Sequence, residues 1–178
     1  GGPRRPRGTG RPRGQTGAAA GDRVLDAGTG TGILAAYLGR LGAEVTTYEQ
    51  DAEFADVARE NMTVVGVEAS VDVRTGDITD EMDELAAGEP FDLLTLDTED
   101  APAVVGRAAE ILAPGGYLAV YSPFVENSRA SVEAAEAAGL SAIEAVETIQ
   151  RELTVDDRGT RPSTAGVGHT GYLIFARR

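Results

Sequence analysis

Cysteine is absent from the 178 residues, which excludes disulfides, thiolate nucleophiles and cysteine-ligated metal. Histidine occurs once, at His169, so neither a histidine-rich metal site nor a serine–histidine triad is expected, and no metal is assigned. No apolar run reaches the length of a membrane span and no signal-peptide pattern is present. A soluble, cytoplasmic protein without a membrane partner is the expectation.

Lysine is absent too: all 16 basic residues are arginine. Five of them (Arg4, Arg5, Arg7, Arg11, Arg13) fall in the first 14 residues, where there is no acid. From Gln15 onward, 11 arginines face 29 acids, a formal charge of −18. Such a surface repels itself in dilute buffer. A small, acidic, alanine-rich, lysine-free chain is what a salt-adapted organism with GC-rich coding would produce.

What is abundant is glycine, and it is concentrated at one place. Asp26-Ala27-Gly28-Thr29-Gly30-Thr31-Gly32 follows the apolar run Arg23-Val24-Leu25 and precedes the helical stretch Ile33–Leu38. An apolar strand, a glycine-dense turn and a helix form a site for a nucleotide-like ligand, because glycine lets the backbone approach where a Cβ would collide. Glu49 follows a second apolar run, Glu44–Tyr48, and its carboxylate can accept two hydrogen bonds from an unmodified ribose. Dinucleotide sites usually read G-x-G-x-x-G, whereas here the glycines alternate. A nicotinamide site nevertheless remains a second reading of the loop.

The chain divides near Gly21. Residues 1–20 are Gly/Pro/Arg-rich without periodicity and are expected to be a disordered tail; 21–178 form one domain. Within it strand and helix alternate: Arg23–Ala27, Glu44–Tyr48, Ser70–Arg74, Phe91–Leu96 and Tyr117–Tyr121 as strands, with helices over Thr31–Leu41, Ala52–Val64, Asp80–Ala87, Ala103–Leu112 and Ser128–Ala138. Ser141–Arg151 and Gly171–Ala176 are the last two strands, joined by a polar loop. Without a helix between them they are expected to pair antiparallel at one edge. The fold class is therefore α/β, Rossmann-like: a mostly parallel seven-stranded sheet with a reversed last strand and helices on both faces.

Four strands end at or just before an acid: Asp26, Glu49, Asp77 and Asp97. In such sheets ligands bind at the carboxyl ends of the strands, so these acids are the candidate site. Asp-Ala-Gly-Thr-Gly-Thr-Gly resembles the first motif of class I S-adenosylmethionine-dependent methyltransferases. That resemblance implies S-adenosylmethionine as cofactor, held by Asp26, Gly28, Thr29, Gly30, Gly32, Glu49, Gln50, Asp77, Ile78 and Asp97. Asp26 would orient the glycine loop, Glu49 take the ribose, and Asp77 accept from the adenine amine with Ile78 against the ring. Asp97 would face the sulfonium methyl.

Leu94-Thr95-Leu96-Asp97-Thr98-Glu99-Asp100-Ala101-Pro102 and Tyr117–Pro123 resemble segments of the tRNA adenine-N1 methyltransferases that modify the T-loop. Arg161-Pro162 with Val167-Gly168-His169-Thr170-Gly171-Tyr172-Leu173 is similar to the signature on their last strand. The resemblance implies methyl transfer to N1 of an adenine in tRNA, with Asp97 and Tyr121 catalytic. Tyr121, Arg161 and His169 are candidate substrate contacts, and a homotetramer is implied. Members usually carry an N-terminal β-rich RNA-binding domain, where this chain has an arginine-rich stretch. The −18 body is an objection to polyanion binding. Isoaspartyl or small-molecule methylation, and a non-catalytic binding subunit, are the alternatives.

The acidic body makes a prediction of its own. At about 1 M salt the Debye length falls to about 3 Å, so the melting temperature should rise as salt is raised towards that range. A protein most stable in dilute buffer would defeat salt adaptation.

Overall fold

The computed structural model describes residues 17–163 and 170–178. His169, the Val167-Gly168 pair before it and the arginines of residues 1–16 lie outside these residues. Among the described residues no helix is long and apolar enough to cross a membrane.

The sheet is built from β1 (Arg23–Ala27), β2 (Glu44–Glu49), β3 (Val71–Thr75), β4 (Phe91–Leu96), β5 (Leu112–Ser122), β6 (Ser141–Ile149) and β9 (Thr170–Arg177). Their spatial order is β3-β2-β1-β4-β5-β9-β6. Neighbours from β3 to β5 are parallel, while β9 runs antiparallel to both β5 and β6. The seven-stranded sheet with its reversed strand is therefore as the periodicity implies. Order reverses between β1 and β4, and the strand ends separate there, which is where such sheets accept ligands.

Helices α1 (Ile33–Arg40) and α2 (Ala52–Val65) cover one face. Their apolar sides join Val24, Val45 and Leu93 in one core cluster, and Ala18 packs against it from ahead of β1. Asp51 caps α2, its Oδ1 accepting from the Glu53 amide at 2.8 Å, and Gly66 ends it in the left-handed region at φ +73°. The opposite face carries α3 (Met82–Ala87), α4 (Ala101–Gly106), α5 (Ala108–Ile111) and α6 (Val125–Ala137). Leu25, Leu94, Leu118, Val120 and Ile174 form the larger cluster on that side.

Three local expectations change. The helix over Ala103–Leu112 is two short helices, and Leu112 already belongs to β5, where it pairs with Phe91. Pro114 disfavours helix in the residue before it, which ends the helical run early. The helix over Asp80–Ala87 begins as a 3₁₀ turn, Ile78–Glu81, capped by Asp77. The polar loop after β6 contains a hairpin, β7 (Leu153–Asp156) with β8 (Gly159–Pro162). Its signal is Asp156-Asp157-Arg158-Gly159, with Gly159 at φ +126° and the Arg158 amide donating to Asp156 Oδ1.

On β9 the two faces differ. Ile174 and Ala176 are sealed on the face that α6 covers, whereas Leu173 and Phe175 are half-buried. Ile174→Ala should cost about 2–4 kcal/mol and Leu173→Ala clearly less, read as denaturant midpoints at unchanged m. Equal losses would mean that the half-open face is covered in solution.

Candidate active site

At the carboxyl ends of β1, β2 and β4 lies a cleft of about 340 Å³, walled by Gly28, Gly30, Glu49, Gln50, Ile78 and Asp97. Tyr48 and Phe54 add aromatic surface. The glycine loop enters it from β1. Gly28 has φ +87°, and a Cβ there would lie 2.0 Å from the backbone oxygen of Asp97. Any other residue would push β4's end away from β1. The Asp97 amide in turn donates to Ala27 O at 2.9 Å.

Glu49 is held by two main-chain donors: the Gly30 amide at 2.7 Å on Oε2 and the Asp51 amide at 3.0 Å on Oε1. Each carboxylate oxygen keeps a lone pair for a ligand hydroxyl. Gln50 Nε2 donates to Asp100 Oδ2 at 3.2 Å, joining the ends of β2 and β4. Asp97 opens to solvent through the cleft, yet the protein around it raises its carboxyl pKa by desolvation.

Other expected residues stand back from the cleft wall. Asp26 is 4% exposed, and its oxygens accept from Thr47 Oγ1 at 2.6 Å and from Thr95 Oγ1. Burial raises its pKa; the two hydroxyls pull it down, while Asp97 and Glu49 add to the rise. Thr29 is buried against Thr47, 2.5 Å between hydroxyl oxygens. Gly32, at φ +83°, leaves room for Met62, whose Cε a Cβ would meet at 2.4 Å. Asp77 caps the turn leading into α3, its Oδ1 accepting from Thr79 Oγ1 at 2.7 Å and Thr79 N at 2.8 Å. Those bonds from Thr79, with Gln50 adding to them, lower the Asp77 pKa. Tyr121 is the penultimate residue of β5, one past the Leu96–Val120 pair. Its ring lies over Gly171, where a Cβ would be 2.4 Å from Tyr121 Cε2. Arg161 is on the separate β7–β8 hairpin, 3.8 Å from Asp156. The structure thus gathers six of the expected residues at the cleft and places Asp26, Thr29, Gly32, Asp77, Tyr121 and Arg161 around it or apart from it.

Thr47 and Thr95 are the residues that sequence reading passed over. A signal existed: each stands two positions before a strand-end acid, and both are Cα partners of Asp26 in the sheet register.

Residues 24–116, just over half of the chain, match the family described as a methyltransferase domain. The chain belongs to the class I S-adenosylmethionine-dependent methyltransferases. The domain is 33% identical to a tRNA (adenine(57)-N(1)/adenine(58)-N(1))-methyltransferase of Methanocaldococcus jannaschii, over 88% of this chain and 64% of that protein. Among solved structures, an S-adenosylmethionine-dependent O-methyltransferase from Thermotoga maritima superposes with a TM-score of 0.78 at 29% identity, covering 90% of this chain and 60% of that one. A tRNA (m1A58) methyltransferase from Aquifex aeolicus gives 0.71 at 27%, covering 88% and 62%. The methyltransferase domain therefore spans less than two thirds of the length of these relatives.

Gly28→Ala should destabilise the domain by about 2 kcal/mol or more, because both φ and the Asp97 backbone oppose a Cβ, and should abolish S-adenosylhomocysteine binding. Thermal melting and calorimetry check it; wild-type values in both would mean that β1 and β4 are not held in contact.

Proposed function

We propose that this domain methylates N1 of a T-loop adenine in tRNA. The observation that carries the reading is the similarity to the tRNA (adenine-N(1)) relative: it runs over 88% of the chain, well past the residues that match the family. The cleft fits the cofactor chemically. Glu49 would take the ribose hydroxyls, Ile78 would lie against the adenine with Asp77 accepting from its amine, and the Gly28–Gly30 backbone would flank the remainder. Bound S-adenosylmethionine supplies an electrophilic methyl on a sulfonium.

Adenine N1 carries a lone pair, so no strong base is needed to create the nucleophile; positioning provides much of the rate. Asp97, as carboxylate, accepts from the 6-amino group of the target adenine and offsets the positive charge growing on the ring. Tyr121, at the neighbouring strand end, bounds the base. The base must leave its stack to reach N1 chemistry.

RNA grip is the demanding part. Arg129 pairs with Glu133, Arg158 and Arg161 face Asp156, Arg177 stacks on Tyr117, and Arg178 donates to Leu112 O. These arginines are thus committed within the domain, so shape and stacking must contribute. Self-association is part of the proposal: Ile149, Leu153 and Val155 expose apolar surface on β6 and β7, Val155 at 75%. The acidic surface favours a second reading, O-methylation of a non-nucleic-acid acceptor.

Radiolabelled methyl transfer to unmodified tRNA separates the two. Label on an adenine of T-loop tRNA supports the proposal; cofactor binding with no label on tRNA sinks it and leaves the O-methyl reading. Asp97→Asn should keep S-adenosylhomocysteine binding and lose turnover by about 100-fold or more. The sign of the pH effect follows from burial. Asp97 holds its proton to higher pH than an ordinary carboxyl, so turnover should fall on the acid side at a higher pH than an ordinary carboxyl would give. A rate that shows no fall on the acid side would remove Asp97 from the reaction.

A further inference from the structure

Asp26 receives a hydroxyl donor on each oxygen; as a carboxylate it can only accept, which gives the chain of hydroxyls beneath the glycine loop one direction. Thr47 must donate its one proton to Asp26 Oδ2, 2.6 Å away. The 2.5 Å contact between Thr47 Oγ1 and Thr29 Oγ1 then requires Thr29 to be the donor. Thr95 donates to the other oxygen of Asp26. The order is Thr29 to Thr47 to Asp26, across the ends of β1 and β2.

Thr29 stands between Gly28 and Gly30, whose backbones wall the cleft. Of the two threonines in the loop, Thr31 is exposed and Thr29 is buried, so Thr29 is the loop's side-chain anchor. Thr47 itself is 0% exposed and does not line the cleft. Its hydroxyl is the one that links Asp26 to Thr29.

We propose that Thr47 is a positioning residue for cofactor binding: its buried hydroxyl carries the constraint from Asp26 to Thr29 and holds the glycine loop in its ligand-receiving shape. The proposal rests on the cleft being the S-adenosylmethionine site. The loop's other bonds are few: the Gly32 amide donates to Thr29 O at 2.8 Å and Asn61 Nδ2 to Thr31 O at 2.9 Å. The Gly28 and Thr29 amides both go to Tyr48 O, at 3.0 and 3.3 Å, and Gly30 hangs from the Glu49 side chain. With valine at position 47 the shape is kept, but Asp26 Oδ2 loses this donor and Thr29 its acceptor. Losing a hydrogen bond to a buried charge is a tenfold effect or more on the equilibrium it supports.

The test compares Thr47→Val with Thr47→Ser in the full chain, by amide hydrogen exchange and by titration with S-adenosylhomocysteine. In Thr47→Val, exchange of the amides of residues 28–32 should quicken about tenfold while those of α6 stay unchanged. The S-adenosylhomocysteine dissociation constant should rise by a similar factor. Thr47→Ser, which keeps the hydroxyl, should stay within about threefold of wild type in both, well inside the loss expected for a missing charged hydrogen bond. Wild-type loop exchange in Thr47→Val overturns the proposal. So do equal losses in valine and serine, which would make the methyl group the important part, or faster exchange throughout the domain. A wild-type chain that fails to bind S-adenosylhomocysteine sinks the cofactor assignment of the cleft, and loop exchange then decides alone whether Thr47 holds the loop.

Discussion

A carboxylate sealed between strands is costly unless donors meet it, and Asp26 is such a group. Its partners are hydroxyls from β2 and β4, the strands on either side of β1. Satisfying one side chain therefore sets the mutual height of the three central strand ends. The glycine loop leaves from those ends, and Gly28 brings β1's backbone against the Asp97 carbonyl. Glu49 takes the Gly30 amide from the far side. The cleft is thus shaped from below by Asp26 and from the rim by Glu49 and Asp97, whose charges add to the rise in the Asp26 pKa.

Much of this was legible in the residue order. Alternating apolar runs and helical stretches specify the parallel sheet, and a missing helix between the last two strands announces the reversed one. Acids at strand ends pointed to Glu49 and Asp97, which the cleft contains. What escaped was set by contacts across the sheet. Asp26 reads as a ligand contact from its place in a motif, yet register puts Thr47 and Thr95 beside it and burial closes it off. Leu112 reads as the end of a helix, but pairing with Phe91 draws it into β5. Gly171 reads as part of a signature, while its physical reason is the Tyr121 ring lying over it.

Charge shows the same limit. The net charge of the body already argued against polyanion binding, and the fold adds to it by engaging Arg158, Arg161, Arg177 and Arg178 with internal partners. Exposed ion pairs of this kind contribute little stability. Their effect is on what remains available to a ligand, which a composition cannot reveal.

The position of β9 bears on how the molecule is made. Its eight residues, Thr170–Arg177, lie between β5 and β6 and are the sheet neighbour of both. During synthesis β6 therefore emerges from the ribosome with no strand to pair with, and β5 with one side open. The half from β1 to β4 can close as it appears, whereas the other half must wait for the last strand. Translation should consequently expose a long apolar edge for a few seconds, at about 5–20 residues per second. Sheet completion is a late, non-local event, of the kind that folds slowly and invites edge-to-edge association.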